Sequence, residues 1–268
     1  MEQHAEKHLK NVIAVIPARY ASVRLPGKLL REIDGKPLIL HTWGQVQKCR
    51  SVSRAMVATD DSRIYDAVAS AGGEAVMTSE DHQSGSDRIA EVAEELTEDS
   101  IIVNVQGDEP LISPETIDLA VAAMLADETA DIVTTCEAID SIDDLLNGNV
   151  VKVVCCEAGY ALYFSRSPMP FPREASLRHS GNLNLAIAGE PEILSLFRKH
   201  TGLYVYRREY LLKFTKLPQS RLEKIEMLEQ LRALENGARI KVVETTTRSI
   251  GVDTEADFER VKTLIEAK

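Results

Sequence analysis

The chain has 268 residues and a formal net charge of −11, with 44% hydrophobic and 27% charged residues. This acidic balance excludes general binding to nucleic acid or to an anionic membrane surface, because both need a positive field. No apolar run is long enough to span a membrane, and the first ten residues lack a signal-peptide core, so we expect a cytoplasmic protein. The four cysteines show no C-x-x-C spacing and are expected to be reduced thiols.

The first half of the chain alternates apolar runs with helical patterns. This alternation is typical of βαβ units and of a mainly parallel sheet. Strands are predicted at 12–16, 54–58, 74–77, 100–105 and 132–138. Helices are predicted from Pro37, which is expected at the first helical position, and at 60–71, 86–96 and 114–125.

The second half has a different rhythm. Two short strands at 150–154 and 161–164 flank turn residues, which predicts a hairpin. Residues 167–199 are expected to be an irregular excursion that is partly helical near 191–197. The remaining predicted elements are a strand at 202–206, a helix at 222–236, a strand at 240–244 and a helix at 255–266. We therefore predict one domain over 1–268 with an excursion at 150–221.

A basic segment follows the first predicted strand. Arg19, Arg24, Lys28 and Arg31 occur there with no acid between positions 19 and 31. At the carboxyl end of an early strand in an open α/β sheet, such a segment usually binds an anion. Guanidinium groups give forked hydrogen bonds to phosphate oxygens, and an ammonium acts on them as a point charge. The alternative is a solvated loop paired with surface acids.

Two common nucleotide-binding motifs are missing. The Gly27-Lys28 pair is not a P-loop, because Ser22 stands where the earlier glycine belongs and no Ser or Thr follows Lys28. The G-x-G-x-x-G fingerprint of dinucleotide binding is also absent. An NAD-linked oxidoreductase is therefore disfavoured. A protein that binds a nucleotide without catalysing a reaction remains a second alternative.

Seven stretches, in this order, resemble the 3-deoxy-manno-octulosonate cytidylyltransferase family (CMP-KDO synthetases). They are residues 15–28, 57–60, 77–78 together with 82–88, 103–110, 160–166, 228–232 and 251–254. The resemblance implies an α/β, Rossmann-like nucleotidyltransferase fold, with a mainly parallel mixed sheet flanked by helices. It also implies transfer of CMP from CTP to the anomeric hydroxyl of 3-deoxy-manno-octulosonate (KDO), with release of pyrophosphate, for lipopolysaccharide biosynthesis. The family uses Mg²⁺, and a homodimer is expected from it.

The same resemblance implies roles for residues on the nucleotide side. The implied CTP-binding residues are Ala18, Arg19, Arg24, Lys28, Ser84, Gly85 and Gln106. The implied catalytic residues are Arg19, Lys28, Asp108 and Asp253, and the two aspartates would hold Mg²⁺. Three of these roles have a structural alternative. These are turn capping for Asp108, helix N-capping by Asp253 or Thr254, and helix N-capping by Ser84 or Ser86, which is compatible with base binding.

Five further residues match the sugar side of the family. They are Arg166, His200, Tyr204, Glu229 and Gln230. The alternatives are a satisfied surface or interface histidine at His200 and an exposed polar helix face at Glu229 and Gln230. No Ser-His-Asp order or activated cysteine pattern is present, so we expect direct in-line attack of the sugar hydroxyl on the α-phosphorus.

The chain departs from the family pattern on the sugar side. Thr201 stands where an aliphatic residue is usual, Arg221 stands where proline is common, and the segment between Arg166 and His200 is long. The acceptor therefore stays open between KDO, an amino-KDO and a sialic acid.

Overall fold

The structure, a computed structural model, describes residues 11–21, 25–248 and 250–267. They form two compact units. The first unit holds the described residues up to Glu128, Gly202–Lys216 and the segment from Thr247 onward. The second holds Thr129–Thr201 and Leu217–Thr246. A search of the described residues finds no helix with the length and apolar content needed to cross a membrane.

The elements follow one another as alternating strands and helices. The strands are β1 Val12–Ala18, β2 Glu32–Ile33, β3 Lys36–Pro37, β4 Arg54–Thr59, β5 Glu74–Met77, β6 Ile101–Asn104, β7 Ile132–Ala138, β8 Lys152–Cys155, β9 Ala161–Ser165, β10 Arg198–Arg207 and β11 Ile240–Glu244. The α-helices are α1 Leu38–Val46, α2 Ser62–Ser70, α3 Gly85–Glu94, α4 Pro114–Ala126, α5 Ile142–Leu146, α6 Arg173–Arg178, α7 Leu183–Gly189, α8 Arg208–Phe214, α9 Arg221–Glu226, α10 Gln230–Glu235 and α11 Glu255–Glu266. Two 3₁₀ turns cover Lys28–Leu30 and Pro191–Leu196.

The first unit is built on a mostly parallel sheet flanked by helices, as the sequence predicts. Strand β1 pairs in parallel with β4 and β6, β4 pairs in parallel with β5, and β10 is antiparallel to β6. Because β1 is central, almost all of its side chains are buried, which explains its continuous apolar run. Parallel pairing brings the carboxyl ends of β1, β4 and β6 to one edge of the sheet, and ligands of α/β proteins usually bind at that edge.

The second unit contains the predicted hairpin. Strands β8 and β9 are antiparallel, β7 and β11 are parallel, and Lys199 of β10 pairs with Lys152 of β8. Residues 167–199 form α6, α7 and a 3₁₀ turn. The prediction of an irregular segment is therefore wrong for α6 and α7, whereas the 3₁₀ turn agrees with the partial helix predicted near 191–197. Ala175 of α6, Ile187 of α7 and Phe197 after the 3₁₀ turn pack into one apolar cluster.

Two other predictions need correction. Pro37 ends β3 as the N-cap residue of α1 and is not its first helical residue, because β2 and β3 form a small hairpin that the sequence pattern did not reveal. Helices α5 and α8 were also not predicted. The predicted helix at 222–236 is two helices, interrupted at Met227, whose φ is +54°.

Candidate active site

A cleft of about 420 Å³ opens at the carboxyl edge of the first unit's sheet. It is lined by Pro17, Ala18, Arg19, Lys28, Leu29, His82, Gln83, Ser84, Gly85, Arg88, Gln106, Gly107, Asp108 and Asp253. These residues come from the segments after β1 and β6, the start of α3 and the segment before α11. The parallel sheet thus gathers residues that are far apart in sequence.

Lys28 lies at the centre of the polar contacts on one wall of this cleft. Its Nζ donates to Asp108 Oδ2 at 2.5 Å, to the Val252 carbonyl at 2.7 Å and to Asp253 Oδ1 at 3.1 Å. Only 10% of the Lys28 side chain is exposed, against 27% for Asp108 and 49% for Asp253. A nearly buried ammonium therefore holds together two carboxylates 145 positions apart that both reach the cleft, and a simple solvated basic loop is excluded for Lys28.

The approach to Lys28 is fixed by Gly27 and Tyr20. Gly27 has φ +66°, and a Cβ placed on it would lie 3.1 Å from the Tyr20 hydroxyl oxygen. The Gly27 amide also donates to the Tyr20 carbonyl at 3.3 Å. The Arg63 guanidinium lies 3.5 Å from the centre of the Tyr20 ring, a cation–π contact. This tight turn needs glycine, because only glycine adopts a positive φ there without strain.

Asp108 is held by the backbone on either side of it. A Cβ on Gly107 would lie 3.0 Å from the Pro17 carbonyl oxygen, so the turn after β6 presses directly against the end of β1. The Thr42 hydroxyl donates to the Gly107 carbonyl at 2.9 Å, and the Val252 amide donates to the Asp108 carbonyl at 2.9 Å. Its side chain bonds Lys28 rather than capping the turn.

Asp253 precedes helix α11 without capping it. The N-cap residue is Thr254, which forms a capping box with Asp257. The predicted helix cap at this point is therefore Thr254 and not Asp253, whose carboxylate contacts Lys28.

Ser84, which also lines the cleft, caps α3. Its hydroxyl accepts from the Asp87 amide at 3.1 Å, and the Asp87 carboxylate accepts from the Ser84 amide, so the capping alternative holds for Ser84. Gly85 approaches Pro17, with a would-be Cβ 3.3 Å from Pro17 Cγ. Gln106 donates to Asn104 Oδ1 at 3.0 Å.

Sequence reasoning missed two polar residues that line the cleft, His82 and Arg88. Arg88 is buried, and donates to Asp60 at 2.5 Å and to Thr78. His82 Nε2 lies in close contact with Glu91. The signal was present, because both residues fall inside one of the seven matching stretches, but no role was assigned to them there.

The remaining nucleotide-side residues differ in how the structure describes them. Ala18 is buried at the end of β1, opposite Thr59. Arg19 is exposed and lines the cleft. Arg24 lies outside the described residues, as do Ser22 and the first ten residues.

On the sugar side, the structure places Arg166 in the second unit within a dense hydrogen-bond network. Its guanidinium donates to the carbonyls of Glu226 at 2.6 Å, Gly148 at 2.9 Å and Met227 at 3.2 Å. Beneath it, Lys152 is buried and donates to three carbonyls, including that of Arg166 at 2.5 Å. Burial lowers the pKa of Lys152.

His200 is in the second unit and Tyr204 in the first. His200 Nε2 lies 2.9 Å from Thr134 Oγ1, and its ring meets Phe164 edge-on. Desolvation lowers the pKa of His200 to about 3, so its imidazole is neutral near neutral pH. Tyr204 lies opposite Asn104, the residue that accepts the hydrogen bond from Gln106.

Glu229 and Gln230 flank the start of α10 rather than the middle of a helix. Glu229 is the residue before α10 and accepts from Arg232 at 2.7 Å. Gln230 is buried, so the alternative of an exposed polar face is wrong for it.

Comparison with known proteins identifies close relatives. The sequence model of the cytidylyltransferase family matches residues 13–240. A 3-deoxy-manno-octulosonate cytidylyltransferase of Geobacter sulfurreducens is 51% identical over 94% of this chain and 98% of its own length. The same enzyme of Geotalea daltonii is 52% identical over 93% of this chain and 96% of its own length.

Solved structures agree with these sequence relatives. A CMP:2-keto-3-deoxy-manno-octonic acid synthetase complexed with CTP superimposes with a TM-score of 0.85 at 40% identity, covering 96% of this chain and 99% of that chain. A cytidylyltransferase from Leptospira borgpetersenii is 16% identical with a TM-score of 0.60, over 96% of this chain and 87% of that chain, which supports the fold alone. The resemblance seen in the seven stretches is confirmed, and the oxidoreductase alternative is removed.

Proposed function

This chain belongs to the cytidylyltransferase family, and from that premise we propose that it transfers CMP from CTP to the anomeric hydroxyl of KDO. The chain is a nucleotidyltransferase, and its reaction releases pyrophosphate and supplies lipopolysaccharide biosynthesis. One observation carries the proposal: Lys28, Asp108 and Asp253 meet on one wall of the cleft. This is the combination of cation and carboxylates that a metal–triphosphate complex needs.

Lys28, Arg19 and Arg24 bind the triphosphate of CTP. Lys28 and Arg19 both line the cleft. An ammonium and a guanidinium there neutralise the bound nucleotide and stabilise the charge that moves onto the departing pyrophosphate.

Asp108 and Asp253 hold Mg²⁺. The donor set fits this ion, because Mg²⁺ usually takes one or two protein carboxylates and completes its shell with water and substrate phosphates. Among the described residues no group of three or more His, Cys, Asp or Glu side chains is arranged as a complete protein-only metal site, and the proposed ion does not need one. When bound, Mg²⁺ supplies neutralisation of the triphosphate charge. In the structure Lys28 neutralises the same two carboxylates. With Mg²⁺ on these carboxylates, its ammonium would be available to the triphosphate.

Ser84, Gly85 and Gln106 form the base side of the nucleotide site, together with Ala18 at the end of β1. The Ser84 hydroxyl accepts the hydrogen bond that caps α3. These residues therefore recognise the base through backbone groups and through the shape of the cleft. A glycine at 85 lets the base approach closely, and the Gln106 amide supplies a hydrogen-bonding group beside it.

The sugar hydroxyl attacks the α-phosphorus directly. The new oxygen–phosphorus bond forms as the bond to pyrophosphate breaks, and the hydroxyl proton leaves to solvent. None of the four cysteines is among the described residues that line the cleft, and Ser84 is engaged as a cap. The cleft residues therefore support positioning and charge stabilisation rather than a covalent intermediate.

Arg166, His200, Tyr204, Glu229 and Gln230 bind the sugar acid. Arg166 is the cation that suits its carboxylate. His200, neutral at physiological pH, donates or accepts a hydrogen bond without contributing charge. The acceptor is KDO rather than an amino-KDO or a sialic acid, and a panel of these three sugar acids tests that choice.

Three further features belong to this proposal. The chain acts as one nucleotidyltransferase domain, 1–268, whose excursion at 150–221 carries sugar and dimer contacts. It works as a homodimer, which light scattering after size-exclusion chromatography tests. It works in the cytoplasm, which agrees with four cysteines that form no disulfide.

The direct test mixes the protein, CTP, Mg²⁺ and KDO and measures pyrophosphate. The proposal expects release that depends on KDO and is nearly abolished by Lys28→Ala. The matched control is Lys36→Ala, an exposed lysine in β3 outside the cleft, which should behave like the wild type. Wild-type release no greater than that of Lys28→Ala overturns the proposal.

A further inference from the structure

Arg31, the last cation of the basic segment, does not line the cleft. Its guanidinium instead forms a forked pair with Glu255, with Nη1 to Oε2 at 2.5 Å and Nη2 to Oε1 at 2.7 Å. The same guanidinium lies over the Phe258 ring, 3.8 Å from the ring centre to Cζ. Arg31 thus contacts the first turn of α11 through an ion pair with Glu255 and a cation–π contact with Phe258.

Arg31 and Lys28 hold two ends of the same short segment. Lys28 binds the Val252 carbonyl and the Asp253 carboxylate, and Arg31 binds Glu255 two residues further on. The two cations are coupled directly, because the Arg31 amide donates to the Lys28 carbonyl at 3.2 Å. The 3₁₀ turn at Lys28–Leu30 and its C-cap residue Arg31 therefore present two cations, and their contacts lie on either side of Asp253.

Asp253 needs such support because about half of its side chain is exposed. Its own amide is bound by the Asp257 carboxylate at 3.2 Å, inside the same helical turn. That contact fixes Asp253 relative to α11, but it does not fix α11 relative to Lys28 and Asp108. On one side of Asp253, the Val252 amide and carbonyl bond Asp108 and Lys28. On the other side, the Arg31 contacts with Glu255 and Phe258 attach the first turn of α11 to the segment that carries Lys28.

We propose that Arg31 is a positioning residue for Asp253: by clamping Glu255 and Phe258 it holds the Asp253 carboxylate beside Lys28 and Asp108. This rests on the proposed role of Asp253 as a ligand of the nucleotide-bound Mg²⁺. Outer partners of metal ligands commonly set metal affinity in this way. An exposed ion pair adds little to overall stability, so the clamp acts on local placement.

Removing Arg31 changes cation binding in two opposite ways, one through its charge and one through its contacts that position Asp253. Loss of its positive charge leaves Glu255 unpaired and makes the surroundings of Asp253 more negative, which by itself would strengthen cation binding. Loss of the contacts that position Asp253 would weaken cation binding. The direction of the change therefore separates the two effects.

The test measures CTP affinity by calorimetry without KDO, once with EDTA and once with saturating Mg²⁺. The dissociation constant in EDTA divided by that in Mg²⁺ reports how strongly the ion and CTP are coupled. We expect Arg31→Ala to reduce this ratio about tenfold while CTP affinity in EDTA stays unchanged. Arg31→Lys should restore only part of it, because a lysine gives neither a fork nor stacking.

The matched control is Arg54→Ala. Arg54 forms an equivalent forked pair with Glu74 in the same unit, outside the cleft, and its removal should leave the ratio unchanged. Glu255→Gln combined with Arg31→Ala should be no worse than Arg31→Ala alone, because the two residues act as one pair. A thermal unfolding curve close to wild type shows that a reduced ratio reflects placement and not unfolding.

The outcomes distinguish this inference from the proposed function. If Asp253→Asn reduces the ratio and Arg31→Ala leaves it unchanged or raises it, the clamp is wrong and the metal role of Asp253 stands. If Asp253→Asn itself leaves the ratio unchanged, the metal role of Asp253 fails and the clamp fails with it.

Discussion

The nucleotide-side cleft and the proposed sugar-side residues differ in how they are organised. In the first unit, Lys28, Asp108 and Asp253 contact one another directly and face an open cleft. In the second unit, the Arg166 guanidinium is committed to three carbonyls. The first arrangement is preorganised, whereas sugar binding by Arg166 must replace contacts that the protein already makes. Changes in the cleft should therefore cost catalysis, and changes at Arg166 should mainly cost sugar affinity.

The largest expected effect is that of Lys28→Ala. It removes the ammonium that neutralises the triphosphate and that contacts Asp108 and Asp253, so kcat/KM should fall about 1,000-fold. Steady-state pyrophosphate release measures it, with Lys36→Ala as control. A fall of less than about tenfold would mean that the cleft is not preorganised around Lys28.

A smaller loss is expected from Asp108→Asn. The amide keeps the shape but loses the charge that attracts Mg²⁺, so activity should fall about 100-fold and require more Mg²⁺. A Mg²⁺ titration of the rate measures this shift, and Asp118→Asn, outside the cleft, is the matched control. An unchanged Mg²⁺ requirement would place the ion elsewhere.

Arg166→Ala tests the same comparison at a proposed sugar-side residue of the second unit. Loss of one charged hydrogen-bonding group should raise the KM for KDO about tenfold and leave the KM for CTP unchanged. Arg173→Ala, which removes an exposed arginine at the start of α6, is the control. If Arg166→Ala raises the KM for CTP instead, the division between nucleotide and sugar residues is wrong.

The smallest effect concerns pH and the second unit. Because burial lowers the pKa of His200 from 6.5 to about 3, the unfolded chain binds a proton there that the folded chain does not. Stability contributed by neutral His200 is therefore full above pH 6.5 and is lost as the pH falls from 6.5 towards 3. The loss between pH 6.5 and 5.5 should be about 1 kcal/mol.

Urea unfolding at a series of pH values measures this slope, and His200→Gln should flatten it in that range. His179→Gln, at a histidine paired with Glu190 in the same unit, is the control. An equal slope in wild type and His200→Gln would mean that His200 titrates normally.

The cleft was more predictable from sequence than the second unit, for physical reasons. The meeting of Lys28, Asp108 and Asp253 was implied by the family resemblance and not by their spacing. The parallel sheet that the strand–helix alternation predicts accounts only for a ligand site at the carboxyl edge of the strands. By contrast, the break at Met227 has no glycine or proline to signal it. It is stabilised by tertiary contacts, since Arg166 binds the carbonyls of Glu226 and Met227, and such contacts override local propensity.

The remaining misses have similar causes. Helix α7 begins with an Asn182 cap, yet it is short and is stabilised by packing of Ile187 into an apolar cluster rather than by a periodic pattern. The Arg31–Glu255 pair joins residues 224 positions apart, and no spacing rule links them.

The most direct test of the central claim is a crystal structure of the protein with CTP and Mg²⁺. The account predicts one ion held by Asp108 and Asp253, with Lys28 released from them onto the triphosphate. A triphosphate bound away from Lys28, or an ion that Asp253 does not touch, would contradict it.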